Sequence, residues 1–231
     1  MSRTKRRWPL ITESNPQSPI SEAYKMLRTN VAFSNLDDEI RTIMVTSSTM
    51  GEGKSTTSAN IAVTYAQAHR TVLLIDADMR KPTQHHIFDV SNRGGLTSVL
   101  SQQQELKDAL LTTSIAGLSI LPSGPIPPNP SEMLVSRRMN ALLETASRLY
   151  DVVIIDTPPI MMVTDAQIVA SKCDGVVLVI DSGHVKRESA RKAKASLEHV
   201  NARLLGVVLN NVKRSKAESY YAYYGEQAGS S

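Results

Sequence analysis

Eight consecutive residues, Ser48-Thr49-Met50-Gly51-Glu52-Gly53-Lys54-Ser55, have the types and spacing needed to hold a phosphate chain. They follow the P-loop spacing, with Ser48 standing in the place of the first glycine. In such a loop the backbone N–H groups of Met50, Gly51, Glu52, Gly53, Lys54, Ser55 and Thr56 converge on phosphate oxygens, and the following helix adds its dipole. Lys54 is placed to reach the β- and γ-phosphates, and the Ser55 hydroxyl to ligate Mg²⁺. The implied ligands are ATP and Mg²⁺. The elements that must position the loop are legible on either side of it. Residues 41–46 form a short β-branched run suited to a buried strand. Residues 54–69 have helix composition, with Ile61, Tyr65 and Ala68 at helical spacing.

Two further apolar runs end in carboxylates. Residues 71–75 lead into Asp76-Ala77-Asp78, and residues 151–155 lead into Asp156-Thr157-Pro158-Pro159. Continuous apolar runs belong to strands covered on both faces, as in a parallel sheet, where ligands sit beyond the carboxyl ends of the strands. One such Asp would merely end a strand or cap a helix. Three at one edge beside a phosphate loop make a metal and catalytic cluster. Ser55, Asp78 and Asp156 are the expected metal set. Asp76 is the candidate base for a tyrosine hydroxyl, whose ordinary pKa near 10 requires a proton acceptor late in the reaction. The acceptors are suggested by the chain end, Tyr220-Tyr221-Ala222-Tyr223-Tyr224.

With these residues in view, the chain resembles the bacterial tyrosine kinases that control capsule and exopolysaccharide synthesis. Asp76-Ala77-Asp78-Met79-Arg80-Lys81-Pro82 is similar to their Walker A′ segment, Asp156-Thr157-Pro158-Pro159 to their Walker B, and Tyr220, Tyr221, Tyr223 and Tyr224 to their autophosphorylated tail. The likeness runs from about residue 18 to residue 225. A more distant likeness is to the partitioning and cell-division ATPases. Those carry a signature lysine where this chain has Thr49, and they lack a tyrosine tail. The resemblance implies an ATP- and Mg²⁺-dependent kinase that phosphorylates its own tail between subunits of a ring. It also implies a transmembrane modulator acting through its cytoplasmic tail, a cognate tyrosine phosphatase, and a place at the inner face of the membrane through that partner. In the related ATPases an asparagine past the last strand contacts the base, which makes Asn210 a candidate.

Composition bounds the alternatives. The 231 residues, 41% apolar and 21% charged, suffice for one α/β domain with an ample core. No apolar stretch approaches the ~18 residues of a membrane span. The basic start lacks the apolar segment of a signal peptide, so a cytoplasmic chain is expected. The single Cys173 suits a reducing compartment and reads as structural. Arg3, Lys5, Arg6 and Arg7 account for the whole net charge of +4. Such a stub is a solvated end that could lean weakly on an anionic membrane. The remainder is neutral, without aromatic–basic interleaving, so no nucleic-acid partner is expected.

Along the chain, residues 1–17 read as a basic flexible N-terminus, 18–212 as the P-loop kinase domain, and 213–231 as a flexible tyrosine-rich tail. Ser18-Pro19 has the form of a helix start, with Ile20, Tyr24, Leu27 and Val31 following as an apolar stripe. On a second face Glu22, Lys25 and Arg28 could form only a helix-spaced ion pair. The kinase resemblance implies that this Glu-x-x-Arg-x-x-Arg position joins subunits, with Lys25 replacing the planar fork of the middle arginine. Gly94-Gly95 precedes a helix, residues 118–121 form a strand, and a single helix starts at Ser131 and runs to about 149. His85 and His86 read as solvated loop residues. Arg187, Arg191 and Lys194 lie on one face of a later helix. The fold expected is a doubly wound, mostly parallel sheet of about seven strands sandwiched by helices. Two other functions compete with the kinase: an ATPase switch that transfers phosphate to water, and a non-catalytic nucleotide-binding regulatory subunit.

Overall fold

The computed structural model describes residues 10–34 and 39–212. The strands are β1 Thr42–Ser47, β2 Val72–Asp76, β3 Leu111–Thr112, β4 Leu118–Leu121, β5 Val152–Asp156, β6 Gly175–Asp181 and β7 Leu204–Asn210. They form one seven-stranded sheet in the order β3-β4-β2-β5-β1-β6-β7. Every pairing is parallel except that of the two-residue β3 with β4. The helices are α1 Ile11–Ser14, α2 Pro19–Ala32, α3 Lys54–Gln67, α4 Gln84–Ile87, α5 Leu96–Leu100, α6 Leu106–Ala109, α7 Pro130–Val135, α8 Arg137–Leu149, α9 Asp165–Ala170 and α10 Arg187–His199.

Alternate residues of each central strand feed two cores, because side chains in a strand point to opposite faces. Ile43, Val45, Leu74, Ile154 and Val177 pack with Ile61 and Ala62 of α3 and Val31 of α2. Met44, Leu73, Ile75, Ile155 and Leu178 pack under α5 to α10 through Leu96, Leu134, Leu142, Val169 and Leu197. β1, β2 and β5 are buried along their whole lengths, which explains why they read as unbroken apolar runs. β1 lies inside the sheet, between β5 and β6, so the phosphate loop leaves the sheet at the point where the strand order reverses direction.

Several expectations need revision. The segment 1–17 is not a plain stub throughout: within it, α1 packs on α3. Thr12 is fully buried, its N–H and hydroxyl donating to Asn60 Oδ1 at 3.1 and 2.8 Å. A four-residue helix anchored by polar contacts carries no periodic signal. Residues 131–149 form two helices rather than one. Ser136 is extended between them (φ −56°, ψ 153°) and caps α8 by accepting from Met139 N. Ser18 does cap α2, but Ile20 is 54% exposed and Ser21 takes the buried position beside it. His85 and His86 lie on α4 rather than in a loop, with His85 half-buried. Residues 1–7, the tail 213–231 and its four tyrosines lie outside the described residues.

Candidate active site

The loop between β1 and α3 is turned by two residues in the left-handed region, Gly51 (φ +84°) and Gly53 (φ +94°). A side chain at Gly53 would also collide with the Asn210 amide. These turns leave the N–H groups of residues 50–56 without acceptors among the described residues, the first helical bond being Thr57 N to Gly53 O. Unpaired N–H groups at a helix start form an anion cradle.

One flank of the loop is held from within. The Glu52 carboxylate is 2% exposed and accepts from the Ser48 hydroxyl (2.5 Å), the Thr49 N–H and the Thr49 hydroxyl (2.9 Å). Its other oxygen accepts from Asp181 N at the end of β6, 3.1 Å away. Asn210 Nδ2, at the end of β7, donates to the Glu52 carbonyl at 3.0 Å. The Glu52 side chain is thus a brace inside the loop, and only its backbone is available to a nucleotide. Asn210 stands beside the loop on this flank.

The other flank is charged. Lys54 Nζ lies 2.8 Å from Asp78 Oδ2, 3.8 Å from Asp156 Oδ1 and 3.1 Å from Ser55 Oγ. Burial works against the Lys54 ammonium, but the carboxylates of Asp156 and Asp78 outweigh it and hold the pKa above the ordinary value. Gln84, at the start of α4, ties three parts together. Its Nε2 donates to Asp156 Oδ2 (2.8 Å) and to the Ser55 carbonyl (3.0 Å), while its backbone N–H donates to Asp76. Burial raises the Asp156 pKa, opposed by Lys54 and the Gln84 amide.

Asp76 is placed differently from the expectation of a base open to substrate. It is fully buried and does not line the cleft. Its oxygens accept backbone N–H groups from Asp78 (3.2 Å), Thr83 (2.9 Å) and Gln84 (2.9 Å), so it folds the 76–84 loop around itself. Burial and the neighbouring Asp156 push its pKa up to about 7. Asp78 is the carboxylate that reaches the cleft.

The cleft holds about 310 Å³ and is lined on one side by Lys54, Asp78, Arg80, Lys81 and Thr83. The phosphate loop and the apolar residues Met50, Pro158, Pro159, Met162 and Val163 complete its lining. Arg80 is committed elsewhere: its Nε and Nη2 donate to both oxygens of the buried Asp165 at 2.8 and 3.0 Å. That fork joins the β2 loop to α9, and the Ser131 hydroxyl adds α7 to the same carboxylate.

The other expected site residues fall away from this edge. On α2, Glu22 and Lys25 form an exposed pair at 2.7 Å. Arg28 turns inward, donating to the Thr64 carbonyl of α3, and so is less available to a neighbour than the spacing implied. On α10, Lys194 pairs with Glu198 and Lys192 with Glu188, while Arg187 and Arg191 have no ion-pair partner among the described residues. Gln84 and Arg80 were not singled out by sequence. Gln84 bonds across 72 positions and Arg80 across 85, and nothing local signals either.

The donor set fits a Mg²⁺-nucleotide. Ser55, Asp78 and Asp156 offer hard oxygens around the Lys54 head, next to unpaired N–H groups, and no three His, Cys, Asp or Glu side chains among the described residues form a metal cage alone. This is the pattern for an ion that takes its remaining ligands from phosphate and water. Fold and site together define a P-loop nucleotide-binding protein, and the family described as AAA domain matches residues 40–205.

Relatives narrow this. The tyrosine-protein kinase YwqD of Bacillus subtilis is 48% identical, over 94% of this chain and 91% of its own length. The tyrosine-protein kinase CpsD of Streptococcus agalactiae is 41% identical, over 89% of this chain and 90% of its own. The solved kinase domain of the Escherichia coli tyrosine kinase ETK matches with a TM-score of 0.86 at 34% identity, covering 94% of this chain and 85% of that one. The cell-division ATPase MinD of Pyrococcus furiosus, at 24% identity and a TM-score of 0.66 over 76% of this chain and 74% of its own, shares the fold. The chain belongs to the bacterial tyrosine-protein kinases, P-loop enzymes that bind ATP and phosphorylate tyrosine.

Proposed function

We propose that the kinase uses Mg²⁺-ATP to phosphorylate Tyr220, Tyr221, Tyr223 and Tyr224 of a neighbouring copy, and that this modification regulates capsule or exopolysaccharide production. The observation that carries the reading is Lys54, held 2.8 Å from Asp78 and 3.8 Å from Asp156 at the mouth of a loop whose N–H groups at 50–56 have no acceptor among the described residues. Such a lysine is a counter-charge poised for a γ-phosphate.

The loop N–H groups of residues 50–56 bind the phosphate chain, and Asn210, beside the loop, is the candidate contact to the base. Ser55, Asp78 and Asp156 would hold Mg²⁺, directly or through water. When bound, the ion would neutralise charge on the transferred phosphoryl group. Lys54 exchanges Asp78 for phosphate oxygens and orients them. Asp76 and Asp78 are the two candidates to take the phenolic proton. Asp78 faces the cleft, whereas Asp76 reaches it only if the 76–84 loop opens, as catalytic contacts that tighten on substrate binding allow.

Transfer in trans is supported by reach. Tyr220 is nine residues beyond Asn211, at most ~30 Å when extended, against a domain radius of gyration of ~17 Å. Head-to-tail contacts through α2, at Glu22 and Lys25, would close into a ring, with Arg28 supporting the helix from inside. A transmembrane modulator would bring the chain to the inner membrane face through its cytoplasmic tail; no helix among the described residues is long and apolar enough to cross a membrane. A cognate tyrosine phosphatase would reset the tail.

Incubation with ATP and Mg²⁺, followed by mass spectrometry, is expected to place phosphate on the four tail tyrosines and not on Tyr24, Tyr65 or Tyr150. Burial pushes the Tyr65 hydroxyl up to about 12 and also raises that of Tyr24. Mixing a chain whose tail tyrosines are phenylalanine with a Lys54→Met chain tests the route. Phosphate on the second protein establishes transfer between copies. Its absence, with a wild-type rate per molecule independent of dilution, would overturn the trans reading.

A further inference from the structure

Two apolar side chains that line the cleft have no part in the phosphate chemistry, yet they are exposed. Met50 is 60% and Met162 53% accessible, both large apolar side chains at the edge of a charged site. Exposed apolar surface beside a site marks what the site binds, and methionine adapts to flat aromatic partners. The neighbouring Met161 differs. It lies against α10, where its sulfur accepts from the Ser196 hydroxyl at 3.9 Å.

With the base placed at Asn210, as proposed above, the sheet order gives which end of ATP this side meets. Asn210 and Asp181 brace the loop from the β6–β7 flank. The cleft opens on the opposite flank, toward β5 and β2, where Lys54 meets Asp78 and Asp156. The γ-phosphate end therefore faces the apolar wall, and the base end faces away. The cleft, of about 310 Å³, is also lined by Gly51, Gly53, Ser55 and Thr56, so the end of the phosphate chain and an acceptor side chain would share it. The wall itself is firmly seated. Thr46 Oγ1 donates to the Pro158 carbonyl (2.9 Å), Ile160 N to the Ser47 carbonyl (2.9 Å), and Met162 N to the Pro159 carbonyl (3.1 Å).

We propose that Met50, Met162 and Val163 seat the aromatic ring of the acceptor tyrosine and aim its hydroxyl at the γ-phosphate beside Asp78. The proposal rests on the placement of ATP under the proposed function. In the step it serves, the phenolic oxygen bonds to the γ-phosphorus as the bond from that phosphorus to the β–γ bridging oxygen breaks. ADP leaves with the electron pair, and the phenolic proton passes to a carboxylate. The three side chains take no part in bond making. They are specificity-determining residues, and they favour a flat ring over a serine or threonine hydroxyl.

The test uses the full chain and a random glutamate–tyrosine copolymer as acceptor, so that it does not depend on the tail. For Met162→Ser the copolymer KM is expected to rise about tenfold, the scale of losing one apolar contact surface. The Kd for ADP with Mg²⁺, read by fluorescence of a labelled nucleotide, is expected to stay within about twofold of wild type. Met162→Leu should restore the KM, and Met161→Ser should leave it unchanged. An unchanged KM in Met162→Ser would overturn the proposal. So would a matching loss of ADP affinity, which would make the wall a seat for the base. A wild-type chain that modifies the copolymer but not its own tail would instead count against tail phosphorylation and leave the seat standing.

Discussion

The two flanks of the phosphate loop are built from similar residues to opposite ends. On the β6–β7 flank, the polar groups satisfy one another: Glu52 accepts four hydrogen bonds and Asn210 closes the loop carbonyl. On the β5–β2 flank, Lys54 and Asp78 meet at the wall of an open cleft, with Ser55 beside them and the buried Asp156 behind the Lys54 head. The first arrangement fixes geometry. The second stores charge that a phosphate and a metal can exchange. A buried carboxylate is therefore no guide to chemistry by itself. Its partners decide: backbone and hydroxyl donors make a brace, and an ammonium beside a cleft makes a reacting site.

Substitution of the charged flank should separate catalysis from folding most widely. Lys54→Met is expected to abolish phosphotyrosine while the chain still folds, at some cost in melting temperature because Asp78 and Asp156 lose their counter-charge but no core packing is removed. Asp78→Asn and Asp156→Asn are each expected to cost at least ~10²-fold in rate, the scale of a lost electrostatic group. Wild-type autophosphorylation in Lys54→Met, measured by anti-phosphotyrosine blot, would erase the contrast between the flanks.

The brace should respond in the other direction. Glu52→Gln places an NH₂ group where an acceptor is needed, either toward Asp181 N or toward Ser48 and Thr49. One unsatisfied buried donor costs about 1–3 kcal/mol. The expected result is a lower denaturation midpoint, with a rate loss well below that of Lys54→Met. If Glu52→Gln kept full stability but lost activity, Glu52 would belong with the reacting groups.

The sequence was informative where the chemistry is local. The loop spacing, the strand-end acids and the cap at Ser18 all lie within a few residues of the elements that create them. Strand runs such as residues 152–156 were legible because burial on both faces leaves no polar alternation. What stayed hidden was long-range and polar. Thr12 finds Asn60 across 48 positions, and Arg80 finds Asp165 across 85. Arg28 keeps its helical spacing, but whether it faces a neighbour or the Thr64 carbonyl depends on how α2 packs on α3. The apolar run 160–163 after Pro158-Pro159 was a signal that could have been read, since apolar residues following a strand end fall on the ligand edge.

Asp76 tests the comparison most finely, because it sits behind the charged flank yet is bonded like a brace. Its pKa is raised from 3.8 to about 7, first by burial and then by the charge of Asp156. Between those two values the folded chain binds more protons than the unfolded one, so stability falls as pH rises. The contribution is full below pH ~4 and gone above pH ~7. In buffer without metal or nucleotide, the melting temperature of the wild type is therefore expected to decline from pH 5.5 to 8. Asp76→Asn should flatten that decline, since its side chain does not titrate. It should also melt lower at every pH, because the Asn Nδ2 would face a backbone N–H that the carboxylate accepts. Slope thus reports the buried charge, and offset reports the lost acceptor. A variant with the wild-type slope would show that Asp76 is not the titrating group and would return it to the flank whose carboxylates only brace.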